Sequence, residues 1–223
     1  MGLFLRYAFA SVFLIGPALR AQTDPLGLWA IYFGNYGLAP RWSLFADAQQ
    51  RFTAEPQNQR QTMLRLGIQR SLTDHSSFLV GAAGIPSQIV GEESRFEFRI
   101  FEQFMSDHRL GRSYVRHRFR LEQRFMDNEL FGQRLRYFVL LNIPLTGPDQ
   151  APGVPYLSAY NELFVQGSAN GYWDRNRFFM GLGYSFSPSL RMEFGAMAQT
   201  SATGTALQWN AFMLHSIPFL SPQ

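Results

Sequence analysis

Residues Tyr114–Met126 read YVRHRFRLEQRFM, and charged and apolar side chains exchange places at almost every step. Arg116, Arg118, Arg120, Glu122 and Arg124 fall on one parity, and Val115, His117, Phe119, Leu121, Gln123 and Phe125 on the other. A period of two marks a β-strand, because successive side chains leave a pleated backbone on opposite sides. One face of this strand suits a polar environment and the other an apolar one.

The pattern recurs outward from this stretch. Arg95, Glu97 and Arg99 oppose Phe96, Phe98 and Ile100, and Arg134 and Arg136 oppose Leu135, Tyr137, Val139 and Leu141. Arg175 and Arg177 oppose Phe178 and Met180, and Arg191 and Glu193 oppose Met192 and Phe194. Turn-forming residues at Gly37–Pro40, Thr73–Ser76, Asp107–Arg112, Asp127–Glu129 and Ser187–Ser189 mostly alternate with longer polar links at Thr53–Gln59, Ser87–Ser94, Gly167–Asp174 and Thr200–Ala206. Pro144–Pro155 is long where a short turn is expected. Eleven runs can be counted between residues 28 and 219, many of them ten to fourteen residues long. That length suits a tilted membrane span of roughly 9–11 residues with extensions better than a soluble strand of about 5–6. Short turns alternating with long links are the rhythm of an outer-membrane barrel. The expected fold is all-β, an antiparallel transmembrane β-barrel. Because bacterial single-chain barrels use even numbers, about 12 strands are expected, with 10 as the alternative.

The surrounding composition agrees. All twenty basic residues are arginine, there is no cysteine, and aromatic residues make up 16% of the 223-residue chain. Disorder, disulfide scaffolds and thiolate chemistry are excluded. Arg6, the apolar stretch Tyr7–Leu19 and Ala21 before Gln22 read as a signal peptide over residues 1–21, leaving 22–223 as the barrel. Its removal lowers the net charge from +4 to +2, so the basic balance is no argument for nucleic acid. Trp29, Trp42, Tyr114, Tyr156, Trp173, Tyr184 and Trp209 sit near run ends, where interfacial girdles would place them.

The order of Trp29, Arg41-Trp42-Ser43-Leu44, Gln50-Arg51-Phe52, Arg95-x-Glu97-x-Arg99, the Arg116–Arg124 run, Asn161-Glu162-x-Phe164, Asn176-Arg177 and Gly181-Leu182-Gly183-Tyr184 carries a family likeness. Over most of its mature length the chain resembles an uncharacterised family of Gram-negative outer-membrane barrels, the domain of unknown function 2490 type. The resemblance implies location in the cell outer membrane and no established activity. Outer-membrane lipid and the barrel assembly machinery are the partners expected of such a chain.

Parity sets the candidate site as a charged lumen lining of Arg95, Glu97, Arg99, Arg116, Arg118, Arg120, Glu122, Arg124, Arg134, Arg136, Glu162, Arg177, Arg191 and Glu193. With Arg51, Arg65, Arg175 and Asp47 added, thirteen arginines face five acids, a nominal excess of eight positive charges. One reading is a narrow pore favouring small anionic solutes. The other is a closed structural or docking barrel, filled by guanidinium and carboxylate groups interlocking across strands. Glu102 falls on the lipid parity, which a bulge near Phe101 or a site at the interface would explain.

Catalysis is not expected. A lipid-hydrolase site of the His-x-Ser kind could rest only on His75 and Ser77, but position 89 is Ile89, Glu92 and Glu93 lie in a loop, and no Asn lies between Asn58 and Asn128. His75 follows Asp74 in ordinary turn chemistry. His108, His117 and His215 show no metal-ligand spacing, so neither metal nor cofactor is expected. The links 144–155 and 167–174 are candidate docking loops.

Overall fold

A computed structural model describes residues 27–52, 59–89, 91–127, 131–167 and 173–219; the signal peptide expected over residues 1–21 lies outside them. The strands are β1 (Gly27–Ala39), β2 (Trp42–Phe52), β3 (Gln59–Ser71), β4 (Ser76–Ile89), β5 (Arg95–Leu110) and β6 (Ser113–Met126). They continue with β7 (Phe131–Pro144), β8 (Pro155–Gln166), β9 (Trp173–Ser185), β10 (Leu190–Ser201) and β11 (Gly204–Ile217). Consecutive strands pair antiparallel all round, and β1 closes the barrel against β11 in parallel.

Eleven strands replace the expected twelve or ten. Chain direction reverses at every hairpin, so the first and last strands of an odd set point the same way and close in parallel. The seam runs without a shift from Gly27 opposite Gln208 to Tyr36 opposite Ile217. Alternation had already marked eleven runs. The even-number rule, which presupposes antiparallel closure, was the misleading step.

Links after β1, β3, β5, β7 and β9 gather at one rim, the turn end, and those after the even strands at the other, the loop end. Several polar stretches expected as links are strand. Asp107–Leu110 belong to β5, leaving a two-residue turn at Gly111 and Arg112, and Ser87–Ile89 belong to β4. At the loop end β10 and β11 join through Ala202 and Thr203 alone, and the Thr200 and Thr205 hydroxyls meet across the ladder at 2.9 Å. Small polar side chains can bond to each other across strands, so polarity alone does not make a loop.

The link 145–154 is long at the turn end, as its sequence suggested, and it is anchored. Leu145 N–H donates to the Pro155 carbonyl at 2.9 Å, and Gly153 N–H to that of Ser185 at 2.7 Å. Arg112 donates to the carbonyls of Pro144 and Gly147, both at 3.3 Å, and Arg109 lies 3.7 Å from the buried Asp149 carboxylate.

Register assigns the two faces. Of the expected girdle residues, Trp42 and Tyr184 face outward toward the turn end, and Trp173 and Trp209 toward the loop end. Trp29, Tyr114 and Tyr156 point inward instead. Run-end position does not distinguish the faces, whereas parity does. Glu102 faces outward as parity requires, but no bulge accounts for it: pairing through Phe101 is continuous on both sides. Its carboxylate accepts a hydrogen bond from Gln123 Nε2 at 3.1 Å.

Inward rings lie over cross-strand glycines. Gly181 and Gly195 are register partners beneath the buried Phe179 ring, and Gly183 lies beneath Tyr156. A Cβ on Gly195 would stand 2.3 Å from the Met180 carbonyl oxygen and 2.4 Å from Gly181 Cα, both backbone atoms that cannot swing aside. Gly195→Ala should therefore destabilise the folded barrel by about 1–3 kcal/mol. Gly132→Ala, where the nearest atoms are 3.9 Å away, should stay within about 0.5 kcal/mol of the parent. Urea unfolding followed by tryptophan fluorescence measures both.

Candidate functional site: an arginine-filled barrel interior

Register partners share a face, so the ladder places the expected lining residue by residue. Glu97 and Arg99 on β5, Arg116–Arg124 on alternate positions of β6, Arg134 and Arg136 on β7, Glu162 on β8, Arg177 on β9, and Arg191 and Glu193 on β10 all occupy the inner face. Arg95 does not join them. It shares their parity but opens β5 at the loop-end rim, where its side chain is 72% exposed and lies 3.1 Å from Glu92. Parity says which way a side chain points, not whether a wall stands opposite it.

Three carboxylates organise the interior. Glu122 accepts from Arg134 Nη2 at 2.6 Å and Arg136 Nη1 at 2.5 Å, with Arg99 Nη1 at 3.5 Å and Arg120 Nη1 at 3.6 Å. Glu162 takes Arg118 and Arg136, each at 2.6 Å, with Arg177 at 3.9 Å. Glu97 receives Arg99 through two bonds of 2.8 and 2.7 Å, and Arg124 at 2.5 Å. Arg65 pairs with the buried Asp47 one strand over. Guanidinium planes also stack on rings. Arg51 and Arg177 stand 4.0 and 4.9 Å from the Trp29 ring centre, and Arg136 and Arg177 stand 4.5 and 4.7 Å from that of Phe164. A planar fork can pair and stack at once, which an ammonium cannot.

Sequence reading missed two interior acids. Asp107, taken as a turn residue, extends the Glu97 parity along β5 and holds Arg116 through two 2.7 Å bonds. Asp174 is the extra residue of a bulge, since Trp173 faces Val165 and Arg175 faces Phe164. It accepts from Arg134 at 3.3 Å and Arg175 at 3.1 Å. Parity counting could have found the first, but a bulge breaks parity and hides the second. Among the described residues the interior holds twelve arginines and seven acids, an excess of five rather than eight.

Toward the turn end the inner face changes character. On β7 the inward positions pass from Arg134 and Arg136 to Phe138 and Leu140. With Phe33, Phe45, Phe212 and Leu214 these form an apolar side of a cavity of about 370 Å³, which Tyr114, Arg116, Arg191 and Glu193 also line, with the arginine band beneath and Gln150, Pro188 and Ser189 at the rim.

No hydrolase arrangement forms at His75. It lies exposed in the β3–β4 turn, Ser77 is buried on the inner face of β4, and no hydrogen bond joins them. Asn58 and Asn128 lie outside the described residues. His108 and His117 stack with ring centres 5.1 Å apart, His117 bonds the Tyr137 hydroxyl at 2.8 Å, and His215 lies 3.1 Å from that of Tyr32. Among the described residues no group of His, Asp and Glu is placed to hold a metal ion.

Removing the carboxylate charge at Glu122 leaves its arginines facing one another in a buried site. Breaking a buried ion pair from one side typically costs about 3–5 kcal/mol. Glu122→Gln is expected to lose stability on that scale in denaturant unfolding, while Arg95→Gln on the rim should change it by less than about 0.5 kcal/mol.

Comparison with curated proteins and with solved structures returns no match. A family profile matches residues 26–210, nearly the whole of the barrel. The chain therefore belongs to DUF2490, a family of proteins of unknown function.

Proposed function

We propose that this chain is an outer-membrane β-barrel protein whose lumen is closed by its arginine–carboxylate band, a binding or docking barrel that neither conducts nor catalyses. One contrast on β6 carries the reading. Arg120 and Glu122, facing inward, are each 1% exposed, whereas Phe119 and Leu121, facing outward, are 48% and 38% exposed. A soluble barrel turns its apolar face inward; a membrane barrel reverses this, giving the apolar face to lipid. The same contrast argues for closure, since the lining of a conducting lumen stays open to solvent.

Other features support the membrane reading. The strands run from 11 to 16 residues, enough for a tilted crossing, which needs roughly 9–11. Outward apolar side chains such as Leu66, Leu135, Met180 and Leu182 extend round the wall, far more contiguous apolar surface than a soluble monomer exposes. Aromatic residues at both rims fit the two interfaces. With short turns facing the periplasm, the cavity opens on that side. The five-charge interior excess favours a second reading, an anion path, but the buried band lies across it.

Planar-bilayer recording separates the two. The purified folded barrel is expected to give no steady conductance, and chloride-selective steps would overturn closure. Membrane insertion has its own test: unboiled protein should migrate differently from boiled protein on a gel and fractionate with outer membranes. Identical migration, or recovery in the soluble fraction without detergent, would argue for a periplasmic barrel instead.

A further inference from the structure

Three guanidinium nitrogens in the interior are buried without an acceptor: Arg65 Nε, Arg118 Nε and Arg120 Nη1. All three arginines line the cavity. Arg120 Nη1 lies 3.6 Å from the nearer Glu122 oxygen, beyond hydrogen-bond reach, while its other nitrogens are committed to Gln103 Oε1. Arg65 and Arg118 also repel Arg120 electrostatically. A buried charged donor left unmet carries its desolvation penalty without return. Gln69 Oε1 and Asn142 Oδ1, on the same cavity, are unpaired too, but only the guanidinium nitrogens carry charge, and together they favour a negatively charged acceptor.

The wall of that cavity asks for something different. Phe33, Phe45, Phe138, Leu140, Phe212 and Leu214 give it an apolar side, with Arg116, Arg191 and Glu193 lining it on neighbouring strands. Phe33 contacts both Phe45 and Phe212, with ring centres 6.3 and 6.4 Å apart. Floor and wall meet at Phe138, whose ring the Arg118 guanidinium covers at 4.3 Å. An inorganic anion would leave the apolar wall unused, and a neutral hydrocarbon would leave the guanidinium donors unmet.

We propose that the chamber binds a single-chain amphiphile, its anionic head received by Arg65, Arg118 and Arg120 and its hydrocarbon chain lying against the apolar wall. The cavity, about 370 Å³, is within the roughly 300–1,000 Å³ usual for small-molecule sites. The interior's positive excess favours the head group over a cation or zwitterion of similar size. This deepens the binding-barrel reading above, and entry from the periplasmic side rests on it.

The test uses the mature chain folded in neutral dodecyl maltoside micelles, titrated calorimetrically with decanoate, decyl phosphate, decanol and inorganic phosphate. Saturable binding of decanoate or decyl phosphate is expected, at least tenfold tighter than decanol or inorganic phosphate. Whichever anionic ligand prevails distinguishes a carboxylate from a phosphate head. Arg120→Gln should weaken binding at least tenfold. Leu140→Trp fills the chamber without altering charge and should abolish it, with heat-modifiable migration confirming that the barrel still folds. If Arg120→Gln does not fold, Leu140→Trp decides alone. Binding matched by decanol or by inorganic phosphate, or unchanged in Leu140→Trp, overturns the proposal. Failure here leaves the closed barrel standing, and conductance in a bilayer would overturn closure without touching these affinities.

Discussion

A guanidinium taken out of water keeps its charge, and it must find acceptors inside the protein or lose several kcal/mol of solvation without return. Twelve arginines point into this barrel, and the architecture answers that demand through register. Inward positions recur every second residue, and neighbouring strands align them. A carboxylate on one strand can thus reach arginines one rung away and on both flanking strands. Glu122 on β6 uses this fully, meeting Arg99 on β5, Arg120 on its own strand, and Arg134 and Arg136 on β7. With such a network on the inner face, the large apolar side chains stand exposed on the outer face, and the polarity of the barrel is inverted.

Having no lysine has a structural counterpart here. Trp29 lies between two guanidinium groups, and Phe164 has Arg134, Arg136, Arg175 and Arg177 within 6.0 Å of its ring centre. Each of these arginines stands over a ring while its nitrogens donate to an oxygen. A lysine would supply the charge, but its strongly hydrated ammonium would sit poorly against the ring and offer no fork to the carboxylate. Filling a narrow lumen with charge therefore selects the planar cation. Aromatic rings complete the filling where glycines leave room, as Phe179 and Tyr156 do.

Alternation in the sequence was enough to reveal the runs that become strands and the inner face, though not the strand number expected from them, because a period of two is a property of the chain itself. It placed every expected lining residue correctly except Arg95, whose exposure depends on where β5 leaves the wall. Several of the errors depended on a partner strand. The parallel seam is a fact about β1 and β11 together. Asp107 became an interior acid because β6 continues far enough to bring Arg116 opposite. Asp174 joined it through a bulge that only pairing with β8 defines. Trp29, Tyr114 and Tyr156 stood near run ends like interfacial residues, yet their parity turned them toward charge, with Tyr156 donating to Glu193 at 2.9 Å.

The passage from Arg134 and Arg136 to Phe138 and Leu140 on a single face of β7 bears most directly on function. A passive pore needs an open polar path from rim to rim, whereas here a buried band of paired charges lies across the lumen. Toward the turn end the space widens into a chamber where Phe138, Leu140, Phe212 and Leu214 stand level with Arg116, Arg118, Arg191 and Glu193. An anion drawn in by the positive excess would meet guanidinium groups already held by Glu97, Glu122 and Glu162. Its passage would require those pairs to part in a buried site, at a cost that the residual charge does not offset. Attraction without a path describes a place where a ligand stops, and the chamber on the turn-end side of the buried band is where it would stop.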